Sequence, residues 1–368
     1  MRVLVTGSRG FIGKNLLFRM GELGGYEIVE FNRSDNIDLL PSLISNVDAI
    51  VHLAGENRPT DPSNFKLNNS DLTKVICEAT RSAGKAINLI LTSSTQATSK
   101  NLYGISKLEA ELHATKLAED PRNSVTVYRL PGVFGKWSRP NYNSVVATFC
   151  HNLANELPIQ INDLNSVISL VYIDDVVSHI ISDLHNDDPG LHNDMVQPEY
   201  TISLGQLAEQ LQAFNNCRTR LISERVGEGF LKKLYATYIS YLPSNKFSYT
   251  LPKYGDERGI FVEFLKTKDS GQFSYFTAHP GVTRGGHYHH TKSEKFLVLK
   301  GTARFGFRNV LSNEAYEIYS SGEIPQVIET VPGWAHDVTN VGDVEMIVMI
   351  WASEVFDRER PDTFSYRV

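Results

Sequence analysis

Gly7, Gly10 and Gly13 stand between an apolar, β-branched run and an amphipathic one, and that junction narrows the possible folds more than any other stretch. Arg2 to Thr6 reads as a strand buried on both faces. Phe11, Ile12, Leu16, Leu17 and Met20 then recur at helical spacing. A strand, a turn without side chains and a helix N-terminus make a seat for an anion, because bare backbone amides face it. The spacing G-x-x-G-x-x-G is one residue longer in its first gap than the common dinucleotide fingerprint. Gly7, Arg9, Gly10, Phe11, Ile12 and Gly13 are therefore the expected cradle of a dinucleotide pyrophosphate.

The strands that follow carry the rest of that site. Tyr26 to Phe31 reads as a second strand ending in Asn32-Arg33. An acidic residue there would bond the ribose hydroxyls of NAD; Arg33 instead suits a 2'-phosphate, so NADPH is the expected cofactor, with Arg9 assisting. Asp38, past the next short element, is a candidate for the adenine edge. Asp48 to Gly55 is a further buried strand, and its end, Leu53-Ala54-Gly55, permits close approach of a ribose or nicotinamide. Ala86 to Ser94 delivers hydroxyls to the carboxyl edge of the sheet, where ligands bind in open parallel sheets. Val125 to Leu130 is the next strand, and Asp174 and Asp175 open a later helix. Helices are expected over 204–214 and 224–241.

Tyr103-Gly-Ile-Ser-Lys107 holds the chemistry. Placed on a helix, Tyr103 and Lys107 share one face. An ammonium beside a phenol lowers the phenol's pKa and makes it a proton donor to a carbonyl oxygen as hydride reaches the carbon. Ser94 is placed to hydrogen-bond the same oxygen, with Thr95 as the alternative, since only eight residues separate Ser94 from Tyr103.

After Pro243 the rhythm changes, so the expected domains are 1–243 and 244–368. Short strands at 272–278, 296–299, 303–307, 315–319 and 344–351, without helices, imply a small antiparallel sandwich or barrel. His287 and His289 would point to one side of a strand, Glu294 can return to join them, and His336 supplies a fourth ligand. Three imidazoles and a carboxylate suit Zn, Fe, Mn or Ni. The expectation is a divalent ion, with Zn preferred.

Composition excludes several classes. A net charge of -6 gives no footprint for nucleic acid or an anionic membrane surface. No apolar run is long enough to span a bilayer, and Met1-Arg2 leads directly into a strand, so no signal peptide is expected. Cys77, Cys150 and Cys217 are widely spaced and read as small hydrophobes in a reducing cytoplasm.

Residues 1–240 resemble the extended short-chain dehydrogenase/reductase family through the glycine turn, Leu53-Ala-Gly55, Ser94, Tyr103/Lys107, Arg129-Leu-Pro-Gly-Val-Phe-Gly135 and Tyr172-Ile-Asp-Asp175. The resemblance implies a doubly wound, Rossmann-like α/β sheet and an NAD(P)-dependent enzyme acting on a nucleotide-linked sugar. It also places Arg139, Asn141 and Asn143 at the substrate. Gly281 to Gly301 resembles the first motif of the cupin superfamily, which implies an all-β jelly roll; Pro332 to Asn340 resembles the second motif more loosely. Asp256 to Glu263 and Arg284-Gly-Gly-His-Tyr288 are similar to the sugar-nucleotide epimerases of that superfamily. In those the histidine matching His287 is a base rather than a ligand, and His290 could then take its place near the metal.

The domain order resembles the bifunctional epimerase–reductases of capsular polysaccharide synthesis, which make the UDP-N-acetyl-L-fucosamine precursor. That implies a UDP-4-keto-6-deoxy-N-acetylhexosamine inverted at C3 by the cupin and reduced at C4 with NADPH, in a cytoplasmic homodimer or higher homo-oligomer. One rival is a 4,6-dehydratase or 4-epimerase with tightly held NAD. A dehydratase would carry an Asp-Glu pair after the strand-end hydroxyl, where Thr95-Gln96 stands here. The other rival is a sensor that binds NADPH and a sugar nucleotide without turnover.

Overall fold

The computed structural model describes residues 1–186 and 188–368. The chain divides into two compact units, Met1–Leu211 with Lys233–Pro243, and Gln212–Lys232 with Ser244–Val368.

The strands of the first unit are β1 (Arg2–Thr6), β2 (Glu27–Phe31), β3 (Ala49–His52), β4 (Asn88–Ser94), β5 (Ser124–Leu130), β6 (Gly132–Phe134), β7 (Val167–Tyr172), β8 (Gly190–Asp194) and β9 (Tyr200–Ser203). Six of them form one sheet in the order β2-β1-β3-β4-β5-β8, and every pair in it is parallel. Alternate residues of each inner strand feed opposite cores. Val3, Val5, Val51 and Ile90 join Leu16, Met20 and Ile180 on one face. Leu4, Ile50, Leu89 and Leu91 join Ile44, Ile76 and Leu117 on the other. Burial on both faces explains the near-continuous apolar runs, and helices on both faces make the sheet doubly wound. The strand order reverses between β1 and β3, so the crevice outside their carboxyl ends is where such a sheet binds ligands. β6, β7 and β9 form a small separate sheet.

The second unit comprises β10 (Ile222–Ser223), β11 (Tyr254–Asp256), β12 (Gly259–Thr267), β13 (Gln272–Ala278), β14 (Thr283–Tyr288), β15 (Glu294–Lys300), β16 (Thr302–Asn309), β17 (Ala315–Ser321), β18 (Val327–Glu329), β19 (Trp334–Asn340), β20 (Met346–Ala352) and β21 (Phe364–Ser365). One sheet runs β10-β12-β13-β20-β15-β18 with β11 beside β12, and the other runs β17-β16-β19-β14-β21. Phe276, Phe296, Val298 and Val348 from the first sheet pack on Phe305, Phe307 and Val338 from the second. That shared core is what makes the unit a β-sandwich rather than two ribbons.

The helix expected over 224–241 is confined to Gly229–Ile239. Residues 212–232 group with the second unit, because β10 pairs with β12 through Ile222 and Ser223. Two residues of pairing carry no period, which is why the sequence does not reveal them.

Candidate active site and metal centre

At the glycine turn the backbone leaves no room for side chains. A Cβ on Gly13 would lie 2.5 Å from the carbonyl oxygens of Gly7 and Ser8, so only glycine lets the helix begin this close to β1. Leu53 donates its N–H to the Thr6 carbonyl, and the Ala54 N–H reaches Thr6 Oγ1, each at 3.2 Å. Asn32 closes the turn from β2, its Oδ1 accepting from Ser8 Oγ at 3.1 Å and from the Arg9 N–H at 3.2 Å. Phe11 and Ile12 are half-buried against the core. Arg9 is exposed. Arg33 is exposed too, its guanidinium 3.1 Å from Glu56, a residue that no motif marks. Asp38 sits exposed on the short turn Ile37–Leu39, its N–H held by Asn36 at 3.1 Å. A cradle that a Cβ would fill, with a helix N-terminus and an arginine beside it, fits a dinucleotide.

Helix Leu102–Ala118 begins at Asn101, whose Oδ1 accepts from the Gly104 N–H at 2.7 Å. A Cβ on Gly104 would stand 2.3 Å from the Gln96 carbonyl oxygen. That close approach lets the eight-residue connection set Tyr103 against Ser94, which is buried and within hydrogen-bonding reach of the phenol. Thr95 is exposed.

One expectation is corrected. Burial pushes the Tyr103 phenol above its ordinary value, the Ser94 hydroxyl opposes the shift, and Lys107 does not lower it. The reason is where the ammonium points: Lys107 Nζ donates to the Thr92 carbonyl at 2.8 Å and lies beside Gly55. Burial also brings Lys107 down to about 8, against the pull of Glu111. A cavity of about 520 Å³ opens over Tyr103, lined also by Phe65, Gln96 and Asn143. Asn143 therefore faces the phenol's cavity. Arg139 lies over the Tyr142 ring, and the Asn141 N–H bonds Thr148 Oγ1 at 3.0 Å; neither lines the cavity.

Beneath the site lies a buried polar network. Asn69, on the π-helical turn Lys66–Asp71, donates to Ser106 Oγ at 2.9 Å and to the Glu56 carbonyl at 3.0 Å. His52 bridges Thr6 and Thr73 at 2.6 and 2.9 Å. Burial, with the Lys107 charge adding to it, takes His52 from 6.5 to about 3. The unfolded imidazole thus takes up a proton that the folded one refuses. Stability from this group is intact above its unfolded pKa and falls as pH drops toward the folded one. The loss is about 2 kcal/mol at pH 5. Thermal melts of His52→Gln should show a weaker acid dependence than wild type; equal dependence would contradict the assignment.

In the second unit, β14 and β19 pair with a register shift between Gly285 and His287, which sets His287 opposite His336. The metal-binding atoms of His287, His289, Glu294 and His336 lie within 4.8 Å of one another. His289 stands just past the end of β14 rather than on it, and Glu294 opens β15. Glu294 Oε2 lies 3.4 Å from Nε2 of both His289 and His336. Burial works to raise the Glu294 carboxyl, but the two histidines and Lys292 outweigh it and hold it well below the usual range. Burial, then the neighbouring His336, brings His287 down to about 4. His290 is exposed and packs on Phe364 and Tyr288, away from the cluster.

Nε2 of His289 and both ring nitrogens of His336 are buried without a hydrogen-bond partner. Orphaned imidazole nitrogens facing a buried carboxylate fit a divalent cation. A cavity of about 330 Å³ adjoins the cluster, lined by His287, Glu294, His336, Arg284, Lys292 and several phenylalanines. Lys292 is buried, its Nζ 3.4 Å from Glu294 Oε1. Neither Lys292 nor Asn69 belongs to a local motif, so neither is legible from the sequence.

The sequence profile of the NAD dependent epimerase/dehydratase family matches residues 3–197, more than half of the chain. The chain belongs to that family. Membership in the NAD dependent epimerase/dehydratase family implies a nicotinamide cofactor. Residues 254–364 match the polysaccharide biosynthesis C-terminal domain. The UDP-2-acetamido-2,6-beta-L-arabino-hexul-4-ose reductase of Pseudomonas aeruginosa is 56% identical over 368 residues, covering 100% of this chain and 99% of that protein. The capsular polysaccharide assembling protein CapF from Staphylococcus aureus superposes with a TM-score of 0.90 at 39% identity, covering 100% of both chains. A UDP-glucose 4-epimerase from Thermus thermophilus superposes with a TM-score of 0.55 at 18% identity, covering 66% of this chain and 99% of that one, which shows the fold alone. Among the described residues, no helix is long and apolar enough to cross a membrane.

Proposed function

We propose that this chain acts twice on one UDP-linked 4-keto-6-deoxy-N-acetylhexosamine: the β-sandwich inverts C3, and the first unit reduces the C4 ketone with NADPH. The observation that carries the reductive half is the buried Ser94–Tyr103 contact at the mouth of a cavity. Its support comes from likeness along the whole chain to a 4-ketose reductase.

NADPH bound at the glycine turn would supply the hydride. Tyr103, kept protonated by burial, gives its proton to the C4 oxygen as negative charge grows there. Ser94 hydrogen-bonds the same oxygen and orients it. Lys107 holds the end of β4 through Thr92. Asn143 is the one substrate-side residue of the three expected that lines the phenol's cavity.

Epimerisation comes first because the C3 proton is acidic only while the C4 carbonyl persists. His287, His289, Glu294 and His336 would hold a divalent ion, which would supply Lewis-acid stabilisation of charge on that carbonyl oxygen. His287 is half-buried and lines the cavity, placed either to complete the ligand set or to take the C3 proton. Metal content of His287→Ala decides between those roles, since a base can be lost without losing the ion.

The purified chain, given this substrate and NADPH, should consume one NADPH per ketone; a stable NADPH signal with unchanged substrate would overturn the reading. Arg33→Ala tests the cofactor choice. A charged hydrogen bond to a phosphate is worth about 1.5–3 kcal/mol, roughly ten- to a hundredfold in affinity. NADPH should therefore bind that much more weakly to the variant while NADH binding hardly changes. Equal effects on both cofactors would make Arg33 only the partner of Glu56.

A further inference from the structure

Five contacts converge on one residue of the C-terminal segment. The carboxylate of Asp362 accepts from the backbone N–H groups of His290 at 2.9 Å, Thr291 at 2.7 Å and Lys292 at 2.8 Å. It also accepts from Thr291 Oγ1 at 3.0 Å, and its own backbone carbonyl lies 2.5 Å from His289 Nδ1. A carbonyl can only accept, so Nδ1 carries the proton and donates it. That makes Nδ1 the donor and leaves Nε2, 3.4 Å from Glu294 Oε2 and without a hydrogen-bond partner, as the nitrogen turned toward the ion's place. The next residues fasten the same segment. Thr363 Oγ1 accepts from Lys292 Nζ at 3.3 Å, and β21 pairs with β14 through His287–Ser365 and Tyr288–Phe364. Some seventy residues of sequence separate Asp362 from the loop it holds.

We propose that Asp362 is the positioning residue of the metal centre: its carboxylate straps the C-terminal segment onto the loop between β14 and β15, so that its carbonyl orients His289 for the ion. The inference rests on the metal site proposed above. An outer partner of a metal-ligating histidine typically sets about 10–100-fold in metal affinity. A role in folding alone would lower stability but leave the affinity of the folded protein and the geometry of the bound ion untouched.

The test uses the full chain stripped of metal, titrated with Zn²⁺ and separately with Co²⁺. Wild type must bind one ion per chain with a tetrahedral or five-coordinate Co²⁺ absorption spectrum; no binding by wild type would remove the metal site itself. In Asp362→Ala, Zn²⁺ affinity should fall roughly 10–100-fold, with an altered Co²⁺ spectrum and faster loss of the ion to a chelator. Asp362→Asn, which keeps one carbonyl acceptor, should fall between the two. It also serves as the test variant should the alanine form fail to fold. Wild-type Zn²⁺ affinity and an unchanged Co²⁺ spectrum in a folded variant, with wild type binding normally, would overturn the proposal for Asp362 alone.

Discussion

Tyr103→Phe should reduce the rate of ketone reduction by roughly 10²–10⁴-fold, the usual contribution of a positioned general acid. The substitution removes one hydroxyl and keeps the ring, so the packing of Phe65 on Tyr103, with centroids 5.9 Å apart, survives. Ser94 loses the phenol as a partner but still accepts from the Gln96 N–H at 3.2 Å, so β4 keeps its end. Lys107 is turned toward Thr92, and Thr95 is exposed, so neither takes the phenol's place. Proton exchange at C3 belongs to the other unit and should continue in the variant at the wild-type rate. NADPH consumption and solvent deuterium uptake, measured on the same preparation, check the two halves separately. Loss of both in a folded protein would end the proposed division of labour.

His336→Ala should be the most damaging change in the second unit. The side chain is 2% exposed, stands 3.4 Å from Glu294 and faces His287 across paired strands. Its removal leaves a buried carboxylate with one histidine fewer and takes away a ligand. A metal that binds only the folded state adds about 4 kcal/mol at a thousandfold excess over its dissociation constant. For a unit of this size that corresponds to a melting shift on the order of 10 °C. Calorimetry of wild type with a chelator should reproduce the shift seen in His336→Ala, and the transition of the first unit should not move. Full metal content with an unmoved transition would show that these four side chains are not a site.

What the sequence makes legible follows the reach of each interaction. The inner strands of the first sheet are legible because both faces are buried and the apolar run is unbroken. Tyr103 and Lys107 are legible because one helix carries both, yet the direction of Lys107 is not: it depends on the Thr92 carbonyl, fifteen residues away. The metal cluster shows in the sequence because His287, His289 and Glu294 are close along the chain. The role of Asp362 does not show, because only the folded chain brings it to a loop some seventy residues away. The small strands β6, β9, β10 and β21 do not show either, being too short to carry a period. Arg33 is legible from its place at a strand end, whereas its partner Glu56 comes from the loop after β3.

Two reactions in a fixed order on one substrate are the central claim, and one labelling experiment reads both. The chain is given a UDP-4-keto-6-deoxy-N-acetylhexosamine and unlabelled NADPH in deuterated water, and the product is examined by proton NMR. Inversion at C3 through loss and return of a proton predicts deuterium at C3. Hydride from NADPH predicts protium at C4. A product that carries protium at C3 with its starting configuration, and protium at C4, would mean reduction without epimerisation and would contradict the account.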